Sequence, residues 1–172
     1  KSLNLEVDWS YHDYRDCNVQ NYILAAKELA DRGYYVMRMG AKVKEAINIE
    51  HSMIIDYATN GMRTDFMDIY LGAHCDFCIS NGTGYEGVSY IFRKPILFID
   101  HVPFGDINTY NKNTLITTKK HWLKSEDRFM TFDEIFKSAA IFQRTNEFNK
   151  LKIDLIESSP EEIKAAVIEM SE

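Results

Sequence analysis

Cysteine, proline and glycine are all scarce, at 3, 3 and 8 of 172 residues. Cys17, Cys75 and Cys78 are too few for a disulfide framework and fit a reducing, cytoplasmic compartment. So few glycines and prolines exclude collagen-like and low-complexity chains, and no Gly/Ser-rich linker or internal repeat interrupts the sequence. Long apolar runs are missing. Stretches such as Pro95-Ile96-Leu97-Phe98-Ile99 are far too short to span a bilayer. A basic run is missing as well. With 20 Lys+Arg against 26 Asp+Glu the net charge is −6, which argues against nonspecific nucleic-acid or anionic-membrane binding as the main role. A small anionic ligand needs only a few local arginines and is not excluded. The chain starts at Lys1 without a basic, apolar leader, and reads as a processed or excised piece.

What is present is enough apolar side chain, 45% of residues, for one globular core over 1–172. Helical and apolar-strand patterns alternate, the signature of an α/β domain with a mainly parallel sheet and helices on its faces. The spacing predicts a helix from Asn18 to Arg32, stopped by Gly33, and a strand from Tyr34 to Met39 closed by Gly40. An extended piece follows at Met53–Tyr57, a helix at Asp65–Cys75 and a buried strand at Phe77–Ile79. A short helix at about Tyr85–Arg93, a strand at Lys94–Asp100 and another at Leu115–Thr118 come next. Thr131-Phe132-Asp133-Glu134 and Ser159-Pro160-Glu161-Glu162 read as capping boxes that open later helices. Gln143 to Ser158, polar and poorly periodic, reads as a loop.

The strongest chemical signal is the turn Ser80-Asn81-Gly82-Thr83-Gly84 after a buried strand. In a parallel α/β sheet ligands bind where strands end, and glycine lets main-chain amides approach a phosphate closely. The same turn also serves if it merely needs glycine to reverse direction. Gly82, Gly84 and Gly87 spell G-x-G-x-x-G, with an acid, Asp100, closing the next strand. That keeps an NAD(P)- or FAD-binding oxidoreductase domain as the alternative, although Asp100 arrives sooner than the ~20-residue offset of that fingerprint.

His12-Asp13-Tyr14-Arg15-Asp16 stands at a loop-to-helix junction, where Arg15 suits a phosphate and His12 or Asp16 a general base. Helix capping by Asp16 and an ion pair for Arg15 explain the same residues. Arg38 near the end of its strand, and Arg63 beside Asp65 and Asp68, are either phosphate ligands or members of structural ion pairs. His74-Cys75-Asp76-Phe77-Cys78 lacks a second ligand pair for zinc and leads into a strand, so its thiols read as core. The isolated histidines His51, His101 and His121 give no metal site. The triplet Asn81-Gly82-Thr83 is a glycosylation sequon without meaning in a cytoplasmic protein.

Taken in order, these blocks resemble bacterial glycosyltransferases of surface-polysaccharide loci, in the fucosyltransferase-like branch of the GT-B enzymes. The likeness runs over about residues 10–140. It rests on the His12–Asp16 block, Gly33–Gly40, Ile55-Asp56-Tyr57-Ala58, Arg63–Leu71, and the Ser80–Gly84 turn before Arg93-Lys94-Pro95. It implies the C-terminal, donor-binding half of a GT-B fold, whose partners are the nucleotide-sugar donor and the N-terminal acceptor-binding domain of the full-length protein, absent from this stretch. Arg15, Arg38 and the turn would then serve the donor diphosphate, and Arg63 with Asp65 or Asp68 the base, ribose or structure. The implied enzyme needs no metal cofactor and works at the inner face of the membrane through its acceptor. Alone, this half is expected to bind nucleotide weakly and catalyse little. The retaining-type Glu pair is broken, because Lys94 stands where Glu86 needs its partner.

Overall fold

Strand β4 (Ile96–Phe98) is buried on both faces, with Ile96 and Leu97 wholly inaccessible. Such a strand must be covered from two sides, and its alternating side chains show by what. Leu97 and Ile99 pack into one cluster with Ala25 and Leu29 of α1 (Ile23–Asp31) and Ile163 and Val167 of α6 (Pro160–Ser171). On the opposite face Phe98 meets Tyr90 of α3 (Glu86–Ile91), with ring centroids 6.2 Å apart. The protein is therefore α/β, with helices on both faces of its parallel strands.

This computed structural model describes residues 10–108, 110–142 and 144–172. The parallel strands fall into two small sheets. β1 (Val36–Met37) pairs with β2 (Ile54–Ile55), and β3 (Cys78–Ser80), β4 and β5 (Thr114–Ile116) form the second sheet in that order. Tyr34 and Phe77, which lead into β1 and β3, meet edge to face at 5.9 Å. The helix expected from Asn18 divides into a 3-10 turn, Val19–Tyr22, capped by the Asn18 side chain, and α1. α1 ends at Gly33 as expected: Tyr34 N–H donates to Leu29 at 3.0 Å and Gly33 N–H to Ala30 at 2.9 Å, a Schellman cap. Thr64 caps α2 (Asp65–His74) by accepting the Met67 amide. Both expected capping boxes are formed, on α4 (Phe132–Lys137) and α6.

Two expectations need correction. The strand over Tyr34–Met39 shrinks to Val36–Met37. The supposed loop at 143–158 contains α5 (Thr145–Lys150) and β8 (Ile153–Ile156), while Gln143 lies outside the described residues. β8 runs antiparallel to β6 (Lys120–Leu123), whose other edge pairs with β7 (Arg128–Phe129). This antiparallel sheet makes a second core, with Phe148 and Ile153 packed on Tyr14, Val102 and Ala140. It thereby fixes the 3-10 helix Ser10–Arg15 that carries Arg15.

Candidate functional site

The turn after β3 bends sharply at Gly82 (φ 81) and Gly84 (φ 105), in the left-handed region that favours glycine. At Gly82 space also matters, since a Cβ there would lie 3.3 Å from His101 Nδ1. The expectation that this turn offers open amides is corrected in part. Gly82 N–H donates to Ser80 Oγ at 3.1 Å, Ser80 Oγ–H to Glu86 Oε2 at 2.8 Å, and Gly84 N–H to the same oxygen at 2.9 Å. The Glu86 carboxylate thus takes up the Gly84 amide and the Ser80 hydroxyl. Thr83, exposed at the tip, makes no hydrogen bond among the described residues, so its amide and hydroxyl stay available. α3, only 6 residues long, supplies little dipole to this point.

Arg15 reaches the turn. Its Nη1 donates to the Gly82 carbonyl at 3.4 Å, its Nε to Tyr14 Oη at 2.9 Å, and its Nη2 lies 3.6 Å from Asp106 Oδ2. Asn81 locks the two segments together by donating Nδ2 to the Arg15 carbonyl at 2.8 Å and to Cys17 Sγ at 3.0 Å. Asn81 and Ser80 brace the turn in this structure.

His101 completes the group. Asp100, in the left-handed conformation (φ 58), redirects the chain beyond β4 and brings the next residue's ring beside Gly82. Phe98 flanks that ring edge-on, with centroids 5.0 Å apart. Both ring nitrogens are shielded from solvent and lack a hydrogen-bond partner. Burial pushes the His101 pKa below its ordinary value. The Asp106 main chain and carboxylate oppose that shift, without reaching hydrogen-bond geometry at the ring, while Arg15 reinforces it. Isolated in sequence, His101 gave no signal of its own. Its place just beyond a strand ending, next to the glycine turn, was the available clue.

The other expected residues do not join this group. Arg38 pairs with Asp56 at 3.2 Å and donates to the Glu45 carbonyl at 2.6 Å. Arg63 pairs with Asp68 at 2.6 Å and Asp65 at 3.5 Å at the start of α2. Among the described residues no hydrogen bond or ion pair joins either arginine to the turn, so the structural alternative holds for both. His12 packs its ring on Tyr11 and Tyr14, at 4.0 and 5.9 Å. Asp16 lies 3.4 Å from Lys44, and its carbonyl accepts Lys119 Nζ at 2.6 Å. Asp100 is buried and accepts the Ser158 hydroxyl at 2.7 Å and amide at 3.1 Å. It is not turned towards a ribose.

The thiols are free and partly buried rather than fully in the core. Cys75 donates to the Gly72 carbonyl at 3.4 Å, and burial pushes Cys78 up to about 11. Among the described residues no group of three or more His, Cys, Asp or Glu is placed to hold a metal, and no helix is long and apolar enough to cross a membrane. Compared with known proteins, the chain matches no family model, no curated protein and no solved structure.

Proposed function

We propose that the chain is the donor-binding half of a GT-B-type glycosyltransferase, taking a nucleoside-diphosphate sugar for transfer to an acceptor hydroxyl of a polysaccharide or glycoconjugate. One observation carries the reading. Arg15, the Gly82–Gly84 turn and the unpartnered ring nitrogens of His101 converge beyond the carboxyl ends of β3 and β4, where α/β sheets bind ligands. Support also comes from the ordered likeness of the sequence blocks to such enzymes.

In this reading the acceptor oxygen attacks the anomeric carbon, the bond to the diphosphate breaks, and negative charge grows on the leaving group. Arg15 and the Thr83 donors meet that charge. Glu86 swings off Ser80 and Gly84 when the diphosphate enters. His101 lends a hydrogen bond to a phosphate oxygen when its facing nitrogen carries the proton. The dinucleotide alternative lacks its acid, because Asp100 is committed to Ser158.

Thermal-shift titration with UDP, GDP, CDP, ADP and NAD tests the proposal, since a ligand that binds only the native form raises its stability. A rise with one or more nucleoside diphosphates, and none with NAD, is expected. A rise with NAD alone overturns the reading.

A further inference from the structure

Phe104 is buried, while the rings grouped about it stand in solvent. Phe132 and Phe136, four residues apart on α4, meet it edge to face with centroids 5.6 and 5.5 Å away, and both are more than half exposed. Phe142 closes the group. Its ring lies directly on Gly105, where a Cβ would collide with it, and it too is more than half exposed. One aromatic side chain can bury ~150–250 Å², so the exposed parts of these three present about 350 Å² of apolar surface.

What covers this patch must match its charged rim. Glu126 and Glu134 hold Arg128, Asp133 pairs with Lys137, Asp106 lies beside Arg15, and Arg144 stands over the Tyr11 ring. Carboxylates and cations balance. An anionic lipid surface therefore gains no attraction here, and a second copy of the same rim meets no net repulsion.

The rim is also complementary to itself. Asp133 and Lys137 stand one helical turn apart on α4, 2.7 Å from each other, with 71% and 76% of their side chains exposed. A second α4 laid antiparallel, across a twofold axis near the middle of the helix, sets Asp133 of each copy toward Lys137 of the other. It also sets the Phe132–Phe136 row against its own image. Each charge then gains a second opposite neighbour. The three rings of two copies bury about 700 Å², and flanking side chains bring the total near the ~1,000 Å² at which specific interfaces begin.

We infer that two copies of this chain associate through the patch as a weak, twofold-symmetric dimer. Asp106, next to Gly105, lies 3.6 Å from Arg15, so the second copy borders the candidate site. The transferase reading plays no part in this inference.

Sedimentation velocity of the chain over ~5–500 µM tests it, since an interface at the small end of the range suits a Kd on the order of 10–100 µM. The weight-average sedimentation coefficient should climb from the monomer to the dimer value. Phe132→Glu should hold the chain monomeric throughout, and it should still fold, because an acid suits a first helical turn. Asp133→Lys and Lys137→Glu should each associate about fivefold more weakly, as like charges then face one another across the axis. An equimolar mixture of these two variants should regain the dimer. A chain that stays monomeric at ~500 µM, a dimer that survives Phe132→Glu, or a mixture that associates no better than its components overturns the inference. A monomer that instead floats with vesicles of phosphatidylcholine and phosphatidylglycerol assigns the patch to a membrane and overturns it too.

Discussion

Arg15 and Gly82, 67 residues apart in sequence, meet through a guanidinium–carbonyl contact of 3.4 Å. The contact joins the 3-10 helix of one end of the chain to the glycine turn in its middle. The Asn81 side chain returns a second bond, to the Arg15 carbonyl at 2.8 Å. Among the described residues this guanidinium meets a neutral carbonyl and one carboxylate, Asp106 at 3.6 Å.

Glu86 is the natural competitor of that ligand, because its carboxylate holds the Ser80 hydroxyl and the Gly84 amide. Glu86→Gln keeps an acceptor oxygen and removes the charge. Nucleoside-diphosphate affinity should rise about fivefold, from ~1 kcal/mol of like-charge repulsion relieved at about 4 Å in a water-like medium. Calorimetric titration of both proteins at low and high salt checks this, with the gain shrinking as salt rises.

Arg38→Ala should act on stability and not on binding. Arg38 and Asp56 are both mostly buried, and Asp56 also accepts the Ile47 amide at 3.0 Å. Removing the cation leaves a shielded carboxylate without its counter-charge, a loss on the order of 3 kcal/mol. Urea denaturation would read it as a lower midpoint, and nucleotide affinity of the folded fraction should stay within twofold.

Acid should destabilise the fold well above the range in which carboxylates titrate. His121 is wholly buried between Phe104 and Phe148, with Nδ1 against the Lys119 carbonyl at 3.0 Å and Nε2 unpartnered. Burial holds both His121 and His101 below their ordinary pKa. Their unfolded values lie near ~6.5, so below that pH the unfolded chain binds protons that the native chain refuses. Stability is complete above pH ~6.5 and falls below it, by up to about 1.4 kcal/mol per pH unit for each histidine, until the folded groups also protonate. Chemical denaturation at pH 7.5 and 5.5 measures the slope, and His121→Phe should remove about half of it.

Gly82→Ala should cost more than Gly84→Ala. Both positions demand a left-handed backbone, a penalty of roughly 1–2 kcal/mol for an L residue. Only at Gly82 does the new Cβ also press on His101, at 3.3 Å, whereas at Gly84 it enters open space. Denaturant midpoints rank the two variants, and only Gly82→Ala should shift the His101 ring resonances.

Elements with local chemistry were legible in the amino-acid sequence. The boxes at Thr131 and Ser159 depend on residues three apart, so their spacing suffices. The helix at 145–150 was not legible, because Phe148 is the one apolar residue among its six, and β8 was missed although Leu151, Ile153 and Leu155 alternate with Lys152 and Asp154 at strand period. The hairpin of β6 and β7 escaped as well. Its turn residue Asp127 takes φ 53 where glycine would have announced a turn.

Within the candidate site, the glycine turn, Arg15 and the local carboxylates beside Arg63 were legible as chemistry, while the partner of Arg38 was not. Arg38, Arg63 and Arg15 look alike in sequence. Tertiary packing gives Arg38 the carboxylate of Asp56 and leaves Arg15 beside the turn, whereas Arg63 pairs locally with Asp68 and Asp65. His101 joins only because the endings of β3 and β4 are neighbours, with Ser80 opposite Phe98.

The most direct test pairs Arg15→Ala with Arg38→Ala in a calorimetric titration against whichever nucleoside diphosphate stabilises the native chain. Arg15→Ala should lose at least tenfold in affinity, consistent with a charge-assisted bond of about 1.5–3 kcal/mol, and Arg38→Ala should show no comparable loss. Undiminished binding by Arg15→Ala, in a protein that still folds, would contradict it.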